Sequence, residues 1–178
     1  MDSRDITEHL QAEVREAAGN KTPLVIEGHG TKRFYGNPHP DNLKRLGTSG
    51  HRGIIDYAPE ELVLRARAGT RLAEINSLLA SNKQQLAFEP PDFESNSTIG
   101  GVIATGLSGP RRQYAGAARD FVLGVTLITG EGVALEFGGQ VMKNVAGYDV
   151  SRLLTGSMGT LGVLLDVSLK VLPVPELE

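Results

Sequence analysis

Apolar residues recur at helical spacing over Asp5–Ala18, where Ile6, Leu10, Val14 and Ala17 or Ala18 share one stripe. Gly19-Asn20 follows as a stop, so the pattern predicts a helix. The period then shortens. Pro23–Ile26 is a compact apolar run, read as a buried strand, and it delivers the chain into Glu27-Gly28-His29-Gly30-Thr31-Lys32. Phe34–Thr48 carries Gly36, Pro38, Pro40 and Gly47 with no periodicity, and reads as an irregular connection. Gly53–Tyr57 and Leu62–Ala68, the second alternating apolar and basic, predict a hairpin across Pro59-Glu60-Glu61. Thr70 is expected to cap a helix over Arg71–Ser81 with Leu72, Ile75, Leu78 and Leu79 inward. Leu86–Phe88 is a short apolar segment.

The second half repeats the alternation of long apolar runs and glycine turns. Phe121–Thr129 is a strand, Gly130-Glu131-Gly132 a turn, and Val133–Phe137 its hairpin partner. A glycine-bearing loop over Gly138–Tyr148 leads to a short helix at Asp149–Thr155. Val163–Val171 is a final long strand stopped by Pro173 and Pro175. Strands joined as hairpins, without strict strand–helix–strand alternation, place the chain in the α+β class.

Between the halves lies Pro90–Gly109, PPDFESNSTIGGVIATGLSG, in which almost every residue is small. Ser97 and Thr98 are capping residues for a helical turn, and Ile99, Val102 and Ile103 give that turn an apolar side. A capped turn lined by glycine suits a flat or anionic ligand, because unbonded N–H groups there are expected to donate. The same glycines equally suit close packing of a loop on a helix. Gly28–Lys32, following a strand, is a second anion candidate, with Lys32 and Arg33 adding positive charge. It is not a Walker loop, since the GxxxxGK[ST] spacing is absent.

Composition narrows the function classes. In 178 residues the formal net charge is −3, against the basic face of a nucleic-acid binder. No cysteine is present, which excludes disulfides, thiolate catalysis and cysteine-held iron–sulfur clusters within the chain and suits a reducing compartment. No apolar run approaches the ~20 residues of a membrane span, and the charged N-terminal stretch is not a signal peptide. Gly-Gly-Gln at 138–140 is too short to be evidence. Gly156, Gly159 and Gly162 do not form the GxGxxG dinucleotide fingerprint. His9, His39 and His51 read as ordinary surface or loop residues without metal spacing; His29, inside a glycine loop, stands apart.

Taken together, EGHGTK after a strand, PPDFESNSTIGG, RDFVLGV before a TGEG turn, KNVAGYD and GSMGTLGV resemble the FAD-binding domain of the vanillyl-alcohol oxidase / p-cresol methylhydroxylase superfamily. The resemblance is closer to its glycolate oxidase and D-lactate dehydrogenase branch. The runs Gly106–Arg112 and Phe137–Leu172 are similar to FAD-binding subunits of bacterial glycolate oxidases.

That resemblance implies a two-lobed α+β domain over residues 1–178, lobe one about 1–95 and lobe two about 96–178, clamping an extended FAD. It implies that Gly28, His29, Gly30, Thr31 and Lys32 wrap the pyrophosphate. Pro91, Thr98, Ile99, Gly100, Gly101, Ala104, Gly106 and Ser108 then lie along the flavin and diphosphate, and Gly159, Gly162 and Val163 line the adenine side. No catalytic residue and no metal ligand is assigned. Attachment is expected to be non-covalent, because the place where some relatives carry a flavin-linked histidine falls on Thr31, while His29 stands where glycine is usual. The substrate-capping domain is expected to be absent, with FAD held weakly as a consequence.

The function implied is an FAD-binding component of a 2-hydroxy-acid (glycolate) oxidase or dehydrogenase. Its implied partners are catalytic flavoprotein and iron–sulfur subunits, and its implied location is the cytoplasm, peripheral to the inner membrane through those partners. The alternative is a non-catalytic or FAD-free supporting subunit.

Overall fold

The computed structural model describes residues 3–40, 42–140 and 147–176. The elements run α1 (Thr7–Gly19), β1 (Leu24–Glu27), β2 (Lys44–Gly47), β3 (Ile54–Ala58), β4 (Val63–Arg67), α2 (Leu72–Ser81) and β5 (Gln84–Gln85). After a 3₁₀ turn at Phe93–Ser95 come α3 (Ile99–Thr105), α4 (Arg112–Ala115), α5 (Ala118–Phe121), β6 (Val122–Ile128) and β7 (Ala134–Gly138). The chain finishes with α6 (Val150–Leu154), β8 (Val163–Lys170) and β9 (Leu172–Pro173). Most of the glycine-bearing loop expected over Gly138–Tyr148 lies outside the described residues.

The main sheet has five strands in the order β3-β4-β8-β6-β7, every neighbour antiparallel. β3 and β4 precede residue 95 and the other three strands follow it, so the sheet crosses the boundary expected there. Val63 pairs with Lys170 and Val122 with Leu169, which puts β8 at the centre. Its apolar run is buried on both sides, as a central strand requires. One core packs α2 and α3 on this sheet through Leu72, Ile75, Leu79, Ile99, Val102 and Ile103, joined by Phe88 and Phe121 with ring centroids 5.3 Å apart.

A smaller cluster seats α1 and the two-stranded β1-β2 sheet. Leu10 and Val14 of the α1 stripe meet Leu46, Ile128, Val163 and Leu165. β1 and β2 pair in parallel, Leu24 with Lys44 through Glu27 with Gly47. This corrects the irregular connection expected over Phe34–Thr48. β2 escaped detection because only Leu46 of its four residues is buried, too little for a period.

Three local expectations also change. Thr70 does not cap α2; its Oγ1 accepts from Gly53 N–H at 2.9 Å and donates to Gly53 O at 3.2 Å. Leu86–Phe88 is buried but is not a strand, the pairing residues being Gln84 and Gln85 against Pro173 and Leu172. His51 is 1% exposed: Ile6 N–H donates to its Nδ1 at 3.2 Å, so Nε2–H donates to Asp166 Oδ1 at 3.3 Å. It ties the start of α1 to β8.

Candidate ligand cleft

β1 ends at Glu27, and the chain leaves the sheet as the loop Gly28–Lys32. Side chains bind this loop to the segment before α3. His29 Nδ1–H donates to Asn96 O at 3.0 Å, and Thr31 Oγ1 lies 3.3 Å from Ser97 Oγ. Ser97 is held in turn: its N–H donates to Asp92 Oδ1 at 2.9 Å, and its Oγ accepts from Phe93 N–H at 3.2 Å. Gly28 packs directly on Thr98, where a Cβ would come within 2.5 Å of Thr98 Oγ1. On the far side, the Gly156–Thr160 turn docks on the end of α3 through Gly156 N–H to Ile103 O and Met158 N–H to Ala104 O.

These segments enclose a cleft of about 510 Å³. Of the residues expected at a ligand site, Gly28, His29, Gly30, Thr31, Lys32, Thr98, Gly101, Ala104 and Gly159 line it. Gly100 and Gly162 line a smaller recess of about 60 Å³ that shares Gly28, Gly101, Ala104 and Gly159 with the main cleft. The remaining expected residues lie elsewhere. Ile99 and Val163 are core side chains, and Gly106 is the left-handed C-cap of α3 with φ 66°. Ser108 Oγ accepts from Ala118 N–H at 2.9 Å, and Pro91 lines neither cavity. Tyr35, Asn37, His39 and Leu43 extend one wall, unforeseen because they sit in a stretch without periodicity.

Of the two sets of donors the sequence suggests, the loop and the start of α3, only the loop's are left unspent at the cleft. The N-terminal N–H groups of α3 are committed: Ile99 to Thr70 O, Gly100 to Ala68 O, Gly101 to Thr98 Oγ1 and Val102 to Thr98 O. By contrast, among the described residues the N–H groups of Gly28, His29, Gly30, Thr31 and Lys32 donate to no protein acceptor. Such a run of unspent N–H groups curled around a left-handed glycine (Gly30, φ 72°) forms an anion-binding concavity.

Charge supports the same end of the cleft. Glu27, the one carboxylate among the described lining residues, is shared by Arg33 and Arg45, and their guanidinium groups hold it below the usual glutamate range. Lys32 is ion-paired with no carboxylate among the described residues. Burial pushes its ammonium below the usual lysine range, opposed only by the charge of Asp92. An incoming anion would meet a cation and free N–H groups with no acid in competition. The two glycines at the start of α3 divide their work. A Cβ on Gly100 would run into Ala68, at 2.6 Å from its Cβ, so this glycine serves packing. A Cβ on Gly101 would point into the cleft, 3.9 Å from Lys32 Nζ.

Comparison with known proteins agrees with this geometry. The FAD binding domain family model matches residues 5–138. The glycolate oxidase subunit GlcE of Escherichia coli is 52% identical over 171 residues, covering 96% of this chain and 48% of that protein. The glycolate oxidase subunit GlcD of Bacillus subtilis is 33% identical, covering 88% of this chain and 33% of that one. The chain therefore spans about half or less of these relatives. Among solved structures, the glucose dehydrogenase Phl p 4.0202 superposes with a TM-score of 0.78 at 17% identity over 97% of this chain and 34% of its own. An alkyldihydroxyacetonephosphate synthase gives 0.74 at 23% identity over 95% of this chain and 31% of its own. Sharing this α+β fold, and matched by the family model over most of its length, the chain belongs to the FAD-binding domain family.

Proposed function

We propose that residues 1–178 act as the FAD-binding component of a 2-hydroxy-acid oxidase or dehydrogenase of the glycolate oxidase type. The observation that carries this reading is the unspent N–H run of Gly28–Lys32 facing a cleft whose one lining carboxylate is already neutralised. The glycines on the opposing walls leave room for a flat group to approach the backbone. When bound, the flavin supplies hydride acceptance and onward electron transfer. This chain's part is to bind and orient: Gly28–Lys32 on the pyrophosphate, with Thr98, Gly101, Ala104 and Gly159 alongside. Attachment is non-covalent in this reading, Thr31 being hydrogen-bonded to Ser97 and the His29 ring to Asn96.

Similarity to proteins named as two subunits of a glycolate oxidase supports work within a multi-subunit complex, and this reading adds catalytic flavoprotein and iron–sulfur partners. None of the described helices is long and apolar enough to cross a membrane. A cytoplasmic chain that meets the inner membrane through its partners fits this picture and the absence of cysteine.

The test is flavin reconstitution. The purified chain should quench FAD fluorescence in a saturable titration. Gly30→Val should weaken it, because φ 72° and the adjacent Arg33 and Glu27 side chains leave no place for a branched residue. A folded Gly30→Val protein with wild-type FAD affinity would remove the loop from the site. Bleaching of bound flavin by glycolate in the assembled complex, lost when this chain is omitted, would separate a working component from a supporting subunit.

A further inference from the structure

We propose that Phe93 is a positioning residue that holds the Lys32 ammonium unpaired at the anion-facing side of the cleft. We further propose that this one cation sets the preference for a pyrophosphate-bridged flavin over a flavin lacking phosphate. The inference rests on the FAD-binding reading and deepens it.

Lysine heads normally reach water, and a half-buried one without a carboxylate needs a reason. Here the surroundings supply the restraint. Lys32 Nζ lies over the Phe93 ring, 5.7 Å from its centroid, where the negative face of the ring attracts a cation. Phe93 is itself fixed. Its ring meets Phe34 edge-on with centroids 5.0 Å apart at 76°, and its N–H is tied to Ser97 Oγ. Phe34 is 67% exposed and neither ring lines the cleft, so this stack is a surface support beside Lys32 instead of part of the core. Lys32 Nζ donates to Thr31 Oγ1 at 3.4 Å and to no other described residue, leaving donors for a ligand. Asp92, the carboxylate that Lys32 senses, spends Oδ1 on Ser97 N–H. Arg33 and Arg45 are both drawn to Glu27, so Lys32 is the cation left to the cleft. Gly101 leaves the space beside Nζ clear, since a Cβ there would stand 3.9 Å from it.

The experiment titrates FAD, riboflavin and inorganic pyrophosphate into wild type, Lys32→Met, Phe93→Leu, Phe93→Tyr and the Lys32→Met/Phe93→Leu pair at low and high salt. Ligand-free melting checks that each variant is folded. Lys32→Met should weaken FAD and pyrophosphate roughly 10- to 100-fold and flatten the salt dependence, with riboflavin unchanged. Phe93→Leu should weaken FAD about two- to fivefold, Phe93→Tyr should restore it, and in the pair the Phe93 effect should vanish. Wild-type FAD affinity and salt slope in folded Lys32→Met would overturn this inference while leaving FAD binding in place. Equal losses for FAD and riboflavin, or fully additive effects in the pair, would also overturn it, since Phe93 would then act by packing alone. A wild-type chain that takes up neither FAD nor pyrophosphate would overturn both readings together.

Discussion

Gly28→Ala probes the joint between the anion loop and α3. The added Cβ would stand 2.5 Å from Thr98 Oγ1 and 3.2 Å from its Cγ2, so Thr98 must move. Thr98 Oγ1 accepts from Gly101 N–H at 3.3 Å and is the cap of α3. Losing that cap costs about 1 kcal/mol, and overpacking adds about 1–3 kcal/mol. Stiffening of the unfolded chain returns about 0.4–1 kcal/mol, because the backbone at Gly28 is not left-handed. The expected net loss is about 2 kcal/mol, a fall in Tm of about 4–8 °C for a chain of this size. Thr98→Ala alone should cost about 1 kcal/mol for the cap. In the double variant the nearest Thr98 atom left is Cβ at 3.4 Å, an ordinary contact, so the pair should lose at most about 0.6 kcal/mol, the cap less the same unfolded-chain term. Urea unfolding followed by circular dichroism at constant m-value measures all three. A double variant that loses the simple sum, about 3 kcal/mol, would refute the contact between Gly28 and Thr98.

Gly100→Ala should lose about 1–3 kcal/mol with and without FAD alike, because its Cβ meets Ala68. Gly101→Ala should leave its melting temperature little changed, alanine's helix preference offsetting the tight approach of its Cβ to Thr98 Oγ1 at 3.2 Å, while FAD affinity falls. Equal behaviour of the two variants in paired melts would refute the division of roles. Asp5 titrates at about 2, below its ordinary 3.8, chiefly because Thr7 N–H donates to its carboxylate, with Arg67 adding to the effect. A depressed folded pKa means that the stabilisation is full above about pH 4 and is lost as pH falls through 2. Asp5→Asn should therefore flatten the acid limb of stability between pH 4 and 2, and an unchanged slope would refute it. Leu10→Ala should cost about 2–5 kcal/mol in urea unfolding, since Leu10 is fully buried against Leu46 and Leu165.

The elements that announce themselves in the sequence are those with enough apolar residues to show a period. α1 with Leu10, Val14 and Ala17, β6, and β8 with Val163, Leu164, Leu165, Val167 and Leu169 are of this kind. β2 carries one buried side chain and depends on β1 for its existence, so no local signal marks it. At the cleft, the Gly28–Lys32 loop was legible because a glycine cluster follows a strand. The sorting of Gly100 from Gly101 was not, because it depends on which wall each missing Cβ would face. The commitment of the Ile99 and Gly100 N–H groups was hidden for the same reason: their acceptors, Thr70 O and Ala68 O, come from a distant turn, whereas the Thr98 cap was legible. His51 looked like a loop histidine, and it is one, but α1 closes over it.

The β4–β8 pairing has a consequence for how the chain comes to be folded. Val63 meets Lys170 across about a hundred residues of sequence, so the central strand of the sheet is made long after β4. At ribosomal rates of about 5–20 residues per second, the β3-β4 hairpin waits roughly 5–20 s for its partner. During that interval Leu64 and Ala66, both fully buried in the finished sheet, have a strand on one side only. High contact order of this kind places folding in the millisecond-to-second range and leaves an apolar edge open to other chains. Overproduction should therefore be limited by aggregation of the N-terminal half during synthesis, before the cofactor-binding fold is complete.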